Sequence, residues 1–176
     1  MKLTHVLIGK SEPIAAKSGR SGINKRPQPG PVDVDAYGLK DDAIVDTDNH
    51  GGLTQAVYLF GQKDYDYWEA TLGRTLPAGT FGENLIISDL ATHDVSQGDT
   101  FTIGEVVLKA TYPRIPCVTL AARMKDPKFP KQFVIDGHVG VYCSVETVGA
   151  LSPDTHVKLE KTGDGAILDL LPGYKG

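Results

Sequence analysis

A strand that cannot continue is the feature that most constrains this chain. Val106, Leu108 and Ala110 alternate with Val107, Lys109 and Thr111, so the segment has two unlike faces. Phe101 and Ile103 precede it across Gly104-Glu105, which makes residues 97–111 a hairpin opened by Gln97-Gly98-Asp99. Pro113 and Pro116 then flank Arg114, removing two N–H donors and forcing the ladder to stop. Cys117 follows, with Leu120, Ala121 and Met124 at helical spacing behind it. Pro116 suits a first helical position, which puts the thiol in the first turn. There the helix dipole and a nearby guanidinium both favour thiolate. A thiolate can act as a nucleophile or a soft-metal ligand. The same cysteine also reads as a small buried hydrophobe.

Twenty glycines and eleven prolines spread along the chain imply many turns and a β-rich fold. At 176 residues the chain reads as one domain, 1–176. A net charge of −4 gives no reason to expect nucleic acid or an anionic membrane as partner. The first apolar run ends at Ile8, too short for a secretory core, and no later stretch reaches transmembrane length. Cys117 and Cys143 lie in unlike contexts without a CxxC, so a reduced, cytoplasmic protein is expected. Cys143 shares an apolar strand face with Val139, Val141 and Val145 and is assigned to the core.

Leu3 to Ile8 reads as a strand, and residues 10–31 as a long polar loop carrying Lys17, Arg20, Lys25 and Arg26. That loop suits an anion or is simply solvated. A short strand is expected at Val32–Val34, and Asp41, Asp42, Asp46 and Asp48 form a solvated turn. Asn49-His50-Gly51-Gly52 leads into a helical stripe of Leu53, Ala56, Val57 and Phe60, closed by Gly61. Asp64 would cap a second helix holding Tyr65, Trp68 and Leu72. Glu83 and Asn84 end a Gly-rich turn before the strand Leu85–Ile87. A short helix near Phe133, a last strand at Val157–Leu159 and one or two helical turns in 166–171 complete the reading. His50, Cys117, His138 and Cys143 lack zinc-motif spacing.

Taken in order, Ser21-Gly22-Ile23-Asn24-Lys25-Arg26-Pro27, Asn49-His50-Gly51-Gly52 with Ala56-Val57-Tyr58, and Gly79-Thr80-Phe81-Gly82-Glu83-Asn84-Leu85 resemble the MOSC family. Gly98-Asp99, Arg114-Ile115-Pro116-Cys117 and Gly140-Val141-Tyr142 extend the resemblance, which runs from about Ser21 to about Leu159. It looks closest to the small stand-alone bacterial members. The resemblance implies a mainly β (α+β) fold, a closed β-barrel with a few short helices. It also implies a molybdenum cofactor of the molybdopterin type, with Cys117 as catalytic residue and molybdenum ligand. Reduction of N-hydroxylated substrates is the implied activity. A sulfur carrier using a Cys117 persulfide, without turnover of an organic substrate, is the alternative. Lys25, Arg26 and Arg114 are the implied phosphate contacts, His50, Gly51 and Gly52 would line the pterin or metal, and Glu83 and Asn84 would bond the pterin edge. A separate electron-donor or sulfur-donor protein is the expected partner of a monomer or homodimer. Gln55 stands where a lysine is common after the HGG motif, and the chain lacks the C-terminal helical extension of larger reductase-like relatives.

Overall fold

The structure is a computed structural model, and it describes residues 1–16, 19–45 and 51–176. In chain order the strands are β1 (Leu3–Gly9), β2 (Glu12–Pro13), β3 (Arg20–Ser21), β4 (Lys25–Pro27), β5 (Val32–Asp35), β6 (Gly38–Leu39) and β7 (Val57–Gly61). They continue as β8 (Leu85–Ile87), β9 (Thr100–Ile103), β10 (Val106–Pro113), β11 (Val141–Thr147), β12 (Gly149–Leu151) and β13 (Val157–Glu160). Three α-helices, α1 (Gln62–Leu72), α2 (Val118–Met124) and α3 (Phe129–Asp136), and two 3-10 turns, Thr92–Asp94 and Ile167–Leu170, interrupt them. No helix is long and apolar enough to cross a membrane among the described residues.

Eight strands form one sheet in the order β13-β9-β10-β11-β7-β8-β1-β4, antiparallel throughout except for the β7–β8 pair. A three-stranded sheet, β12-β5-β6, and a β2–β3 ribbon stand beside it. The fold is therefore mixed α+β and mostly sheet, but the expected closed barrel is not formed. Among the described residues β13 pairs only with β9, and β4 only with β1. Where a closing ladder between β1 and β13 would run there are isolated contacts instead: the Lys2–His156 bridge, the Leu3 N–H donating to the Thr155 carbonyl at 2.9 Å and the Asp154 N–H donating to the Leu3 carbonyl at 2.8 Å. The sequence explains the gap. β8 runs along one edge of β1, and β4 covers only the Leu7–Gly9 end of the other. The outer strand β4 has three residues and ends on Pro27, which has no N–H to offer a further strand.

A second correction concerns Leu53 to Phe60. The apolar stripe is not a helix but the approach to β7, whose five residues are all buried. A strand covered on both faces shows no period of two, and four apolar residues can then mimic a helical stripe. Gly61 does not close a helix; it is the N-cap of α1, and a Cβ there would lie 2.1 Å from the Leu90 carbonyl oxygen. Asp64 sits inside α1 rather than capping it, and is buried. Residues 10–31 are not one loop either, since they hold β2, β3 and β4.

The core joins β7, α1, α3 and the turn before β8 through aromatic rings. Phe60 stacks on Phe81 at 4.7 Å between centroids, and Trp68 on Phe133 at 5.5 Å. Burying each ring stabilises the fold by roughly 2–3 kcal/mol, so this cluster anchors the helical side against the sheet. The hairpin β9–β10, the strand Leu85–Ile87 and the short helix around Phe133 lie where their patterns place them. Cys143 is fully buried on β11, and burial pushes its thiol pKa up.

Candidate functional site

The sheet delivers Arg114 to its position. Tyr112 pairs with Tyr142 and Pro113 with Val141, and the Arg114 N–H then donates to the Gly140 carbonyl at 3.1 Å. Gly140 holds φ at 71°, and a Cβ would meet the Phe60 ring at 2.6 Å, so the strand entry needs glycine here. The Arg114 side chain is 5% exposed, with its guanidinium 5.9 Å from the ring centres of both Tyr58 and Tyr142. One nitrogen donates to the Ile115 carbonyl, and Nη2 lies 3.7 Å from Cys117 Sγ. Burial works against the charge, but Tyr142, Tyr58 and Cys117 outweigh it and hold the Arg114 pKa above its ordinary value. Burial also raises the pKa values of Tyr58 and Tyr142, which stay neutral phenols. The Tyr58 hydroxyl donates to the Val139 carbonyl at 2.7 Å.

Cys117 is half-buried and is the N-cap of α2, with φ −129° and ψ 177°. The helix begins at Val118, one residue later than a first-turn thiol requires. The Cys117 carbonyl accepts the N–H groups of Leu120 and Ala121, so its backbone opens the helix while its side chain turns to Arg114.

Beside this pair lies a cleft that opens to solvent. Its cavity is about 100 Å³, small against the roughly 300–1,000 Å³ of pockets that enclose a drug-sized ligand. Arg20, Lys25, Asp42, Gln55, Asn84 and Arg114 supply its polar wall, and Ile23, Tyr58, Phe81 and Tyr142 its apolar one. Thr119 of α2 reaches the wall, whereas Cys117 does not. Among the described residues the buried Gln55 Oε1 atom has no hydrogen-bond partner. An orphaned acceptor of this kind is costly unless a donor arrives from elsewhere.

The expected contacts divide. Lys25 and Asn84 line the cleft, but both are engaged. Lys25 forms a buried ion pair with Asp42, whose side chain also accepts from Asn84 Nδ2 at 2.8 Å and from the Gly9 N–H at 2.7 Å. Burial lowers the Lys25 pKa against the attraction of Asp42. Asp42 is thus no solvated turn residue; Asp46 and Asp48 lie outside the described residues. Asn84 Oδ1 accepts the Tyr58 N–H at 3.0 Å, fastening β8 to β7. Arg26 points to Glu12 at 2.6 Å with its side chain exposed, and takes no part in the wall. Gly51 lines the cleft at φ 82°, packed against Ile44, while Gly52 faces open space. His50 lies outside the described residues.

Glu83 is fully buried and is not part of this cleft wall. One oxygen accepts the Tyr65 hydroxyl and the Gly79 N–H, and the other accepts the Phe81 N–H at 3.1 Å. Its carboxylate is engaged by the turn. Three further residues of the cleft wall, Asp42, Tyr58 and Tyr142, are not among the contacts expected from the sequence, and Gln55 is expected there only as a missing lysine. Tyr142 carried a signal, since the alternation along 141–145 sets it on the face opposite Val141 and Cys143. Nor are Cys117, His138 and Cys143 gathered: the one metal-competent group among the described residues is Asp64, His93 and His138.

Residues 46–158 match the family model of the MOSC domain. The protein YflK of Bacillus subtilis (strain 168) is 32% identical over 162 residues, 91% of this chain and 73% of that protein. A Gibberella moniliformis protein named "Reductase" is 32% identical over 124 residues, covering 68% of this chain and 22% of its own length. The crystal structure of YiiM from Geobacillus stearothermophilus superposes with a TM-score of 0.76 at 29% identity, over 94% of this chain and 78% of that one.

Proposed function

The chain belongs to the MOSC family, and on that premise we propose that it binds a molybdenum cofactor at the cleft, with Cys117 as the protein's ligand to the metal. One observation carries the reading: Arg114 belongs to the cleft wall and also lies 3.7 Å from the Cys117 sulfur. A single buried cation therefore faces both an anionic ligand and the thiolate that would hold its metal.

The residues present suit such a group. A cavity of about 100 Å³ takes part of a flat heterocycle, and the remainder would lie along the open mouth. Gln55 Oε1 would accept an N–H from the ring edge, which ends its isolation. Arg20, at the mouth, and Arg114 would meet a phosphate. Lys25 contributes through Asp42, holding the wall rather than presenting an unshared charge. Tyr58 and Tyr142 keep the guanidinium in place from two strands. Bound here, the cofactor would supply two-electron redox chemistry, and reduction of an N-hydroxylated compound is the reaction proposed. The fungal relative's printed name supports a reductase, although this chain spans only 22% of it. Electrons would come from a separate protein.

A second reading has its own observation, since Cys117 stands outside the cleft wall and is half-buried. A thiol so placed suits a sulfur carrier that receives a persulfide from a donor protein. The test is purification from a cofactor-sufficient host. Molybdenum and pterin fluorescence that co-purify, with reductant-dependent turnover of an N-hydroxylated base, support the enzyme. A sulfur adduct on Cys117 by mass spectrometry, in metal-free protein, supports the carrier instead.

A further inference from the structure

Apart from the residues of the cleft wall, three segments distant in sequence bring a carboxylate and two imidazoles together. Asp64 enters from α1, His93 from the 3-10 turn Thr92–Asp94, and His138 from the approach to β11. One donor atom of each lies within 4.8 Å of the other two. None of the three lines the cleft.

The arrangement is built rather than incidental. Asp64 has a fully buried side chain, and its Oδ2 accepts both the N–H and the hydroxyl of Thr92 at 2.9 Å. Its Oδ1 is left to His138 Nδ1, 2.6 Å away. Among the described residues no lysine or arginine pairs with this carboxylate; its ion-pair partner is an imidazole. The His138 ring stacks on Tyr67 at 3.8 Å, and the His138 carbonyl accepts the Trp68 indole N–H at 2.7 Å. Two of the donors are thus fixed from several sides. His93 is exposed, with its ring 4.8 Å from that of His138 and Nε2 3.2 Å from the Tyr174 hydroxyl.

We propose that Asp64, His93 and His138 form a binding site for a divalent transition-metal ion of the zinc type. Two imidazoles and one carboxylate are the donor set such an ion takes, with solvent completing the shell. Ligand atoms about 2.1 Å from an ion stand roughly 3.3–3.5 Å apart. To reach that spacing the exposed His93 swings inward, and Asp64 Oδ1 and His138 Nδ1, now 2.6 Å apart, open by roughly 0.8 Å as the ion replaces the hydrogen bond between them. The proton shared between Asp64 and His138 leaves to solvent as the ion arrives. The ion would tie α1 to the turn at Thr92 and to the strand entry at Gly140, whose N–H already donates to Thr92 Oγ1 at 2.7 Å.

The test uses chelator-treated protein carrying Cys117→Ser, which removes the competing thiol. Zinc is titrated against a chromophoric indicator, and thermal unfolding is followed with and without the ion. The proposal expects a single equivalent bound and a raised unfolding temperature. His93→Gln and His138→Gln should each weaken binding by about tenfold or more, and Asp64→Asn should do likewise. His93 is exposed, so its variant folds even where the Asp64 variant does not. Absence of binding by the parent, or binding by the His93→Gln protein equal to the parent's, overturns the site.

Discussion

The guanidinium of Arg114 lies 3.7 Å from the sulfur of Cys117, and that contact joins a half-buried thiol to the wall of a cleft. Thiol reactivity should therefore depend on this residue three positions away. Arg114→Met should slow alkylation of Cys117 by iodoacetamide about tenfold at neutral pH, because a cation at this distance favours thiolate. Cys143 is fully buried and will not confuse the readout in folded protein. An unchanged rate would separate the thiol from the guanidinium.

Glu83 should prove a structural carboxylate. Glu83→Ala strands the Gly79 and Phe81 N–H groups and the Tyr65 hydroxyl in a dry interior. The expected loss is about 3 kcal/mol of unfolding free energy in urea. Burial raises the Glu83 pKa above its ordinary 4.5, against hydrogen bonds from Tyr65, Gly79 and Phe81. The folded state therefore holds this proton more tightly than the unfolded chain. Its contribution is full in acid and is lost as pH rises from about 4.5 through the higher folded value. The stability of wild type relative to Glu83→Gln should fall across that window; a flat difference would contradict the assignment.

Asp99 should behave in the opposite sense. Burial alone would raise its carboxyl, but the Ser96 and Gly163 N–H groups and the Lys161 ammonium hold it below its ordinary 3.8. That contribution is present above 3.8 and is lost as pH falls through the lower folded value. Asp99→Asn should cost about 2 kcal/mol at neutral pH, with the difference from wild type shrinking in acid. Denaturation at neutral and strongly acidic pH checks the sign.

Gly140→Ala tests how the strand entry positions Arg114. A methyl group would meet the Phe60 ring at 2.6 Å and the Leu59 carbonyl at 2.7 Å, at a φ of 71°. The expected cost is about 3 kcal/mol, read as a lower midpoint in urea. A neutral outcome would show that the backbone here gives way easily.

What could be read in advance follows from what a linear pattern encodes. The hairpin β9–β10 alternates cleanly because one of its faces is buried, and Cys143 declares itself by the same alternation. β7 was misread because it is buried on both sides, which erases the period of two. The open sheet is beyond local pattern altogether: closure depends on whether β13 forms a ladder with the first strands rather than the isolated contacts at Lys2 and Leu3, and that is a property of the whole circuit. At the site, the closeness of Arg114 and Cys117 is legible in the sequence because Pro113 and Pro116 end the strand on either side of the arginine. The burial of Glu83 is not, because a Gly-rich turn looks solvated until its carboxylate is found capping N–H groups within four residues. The pairing of Lys25 with Asp42 spans 17 positions and leaves no local signature.

The most direct measurement compares molybdenum per folded chain in wild type and Cys117→Ser, both purified from the same cofactor-sufficient host. The account predicts metal with pterin in the wild type and its loss in the variant, with Cys143→Ser retaining it. Equal molybdenum in wild type and Cys117→Ser, or none in wild type, would contradict it.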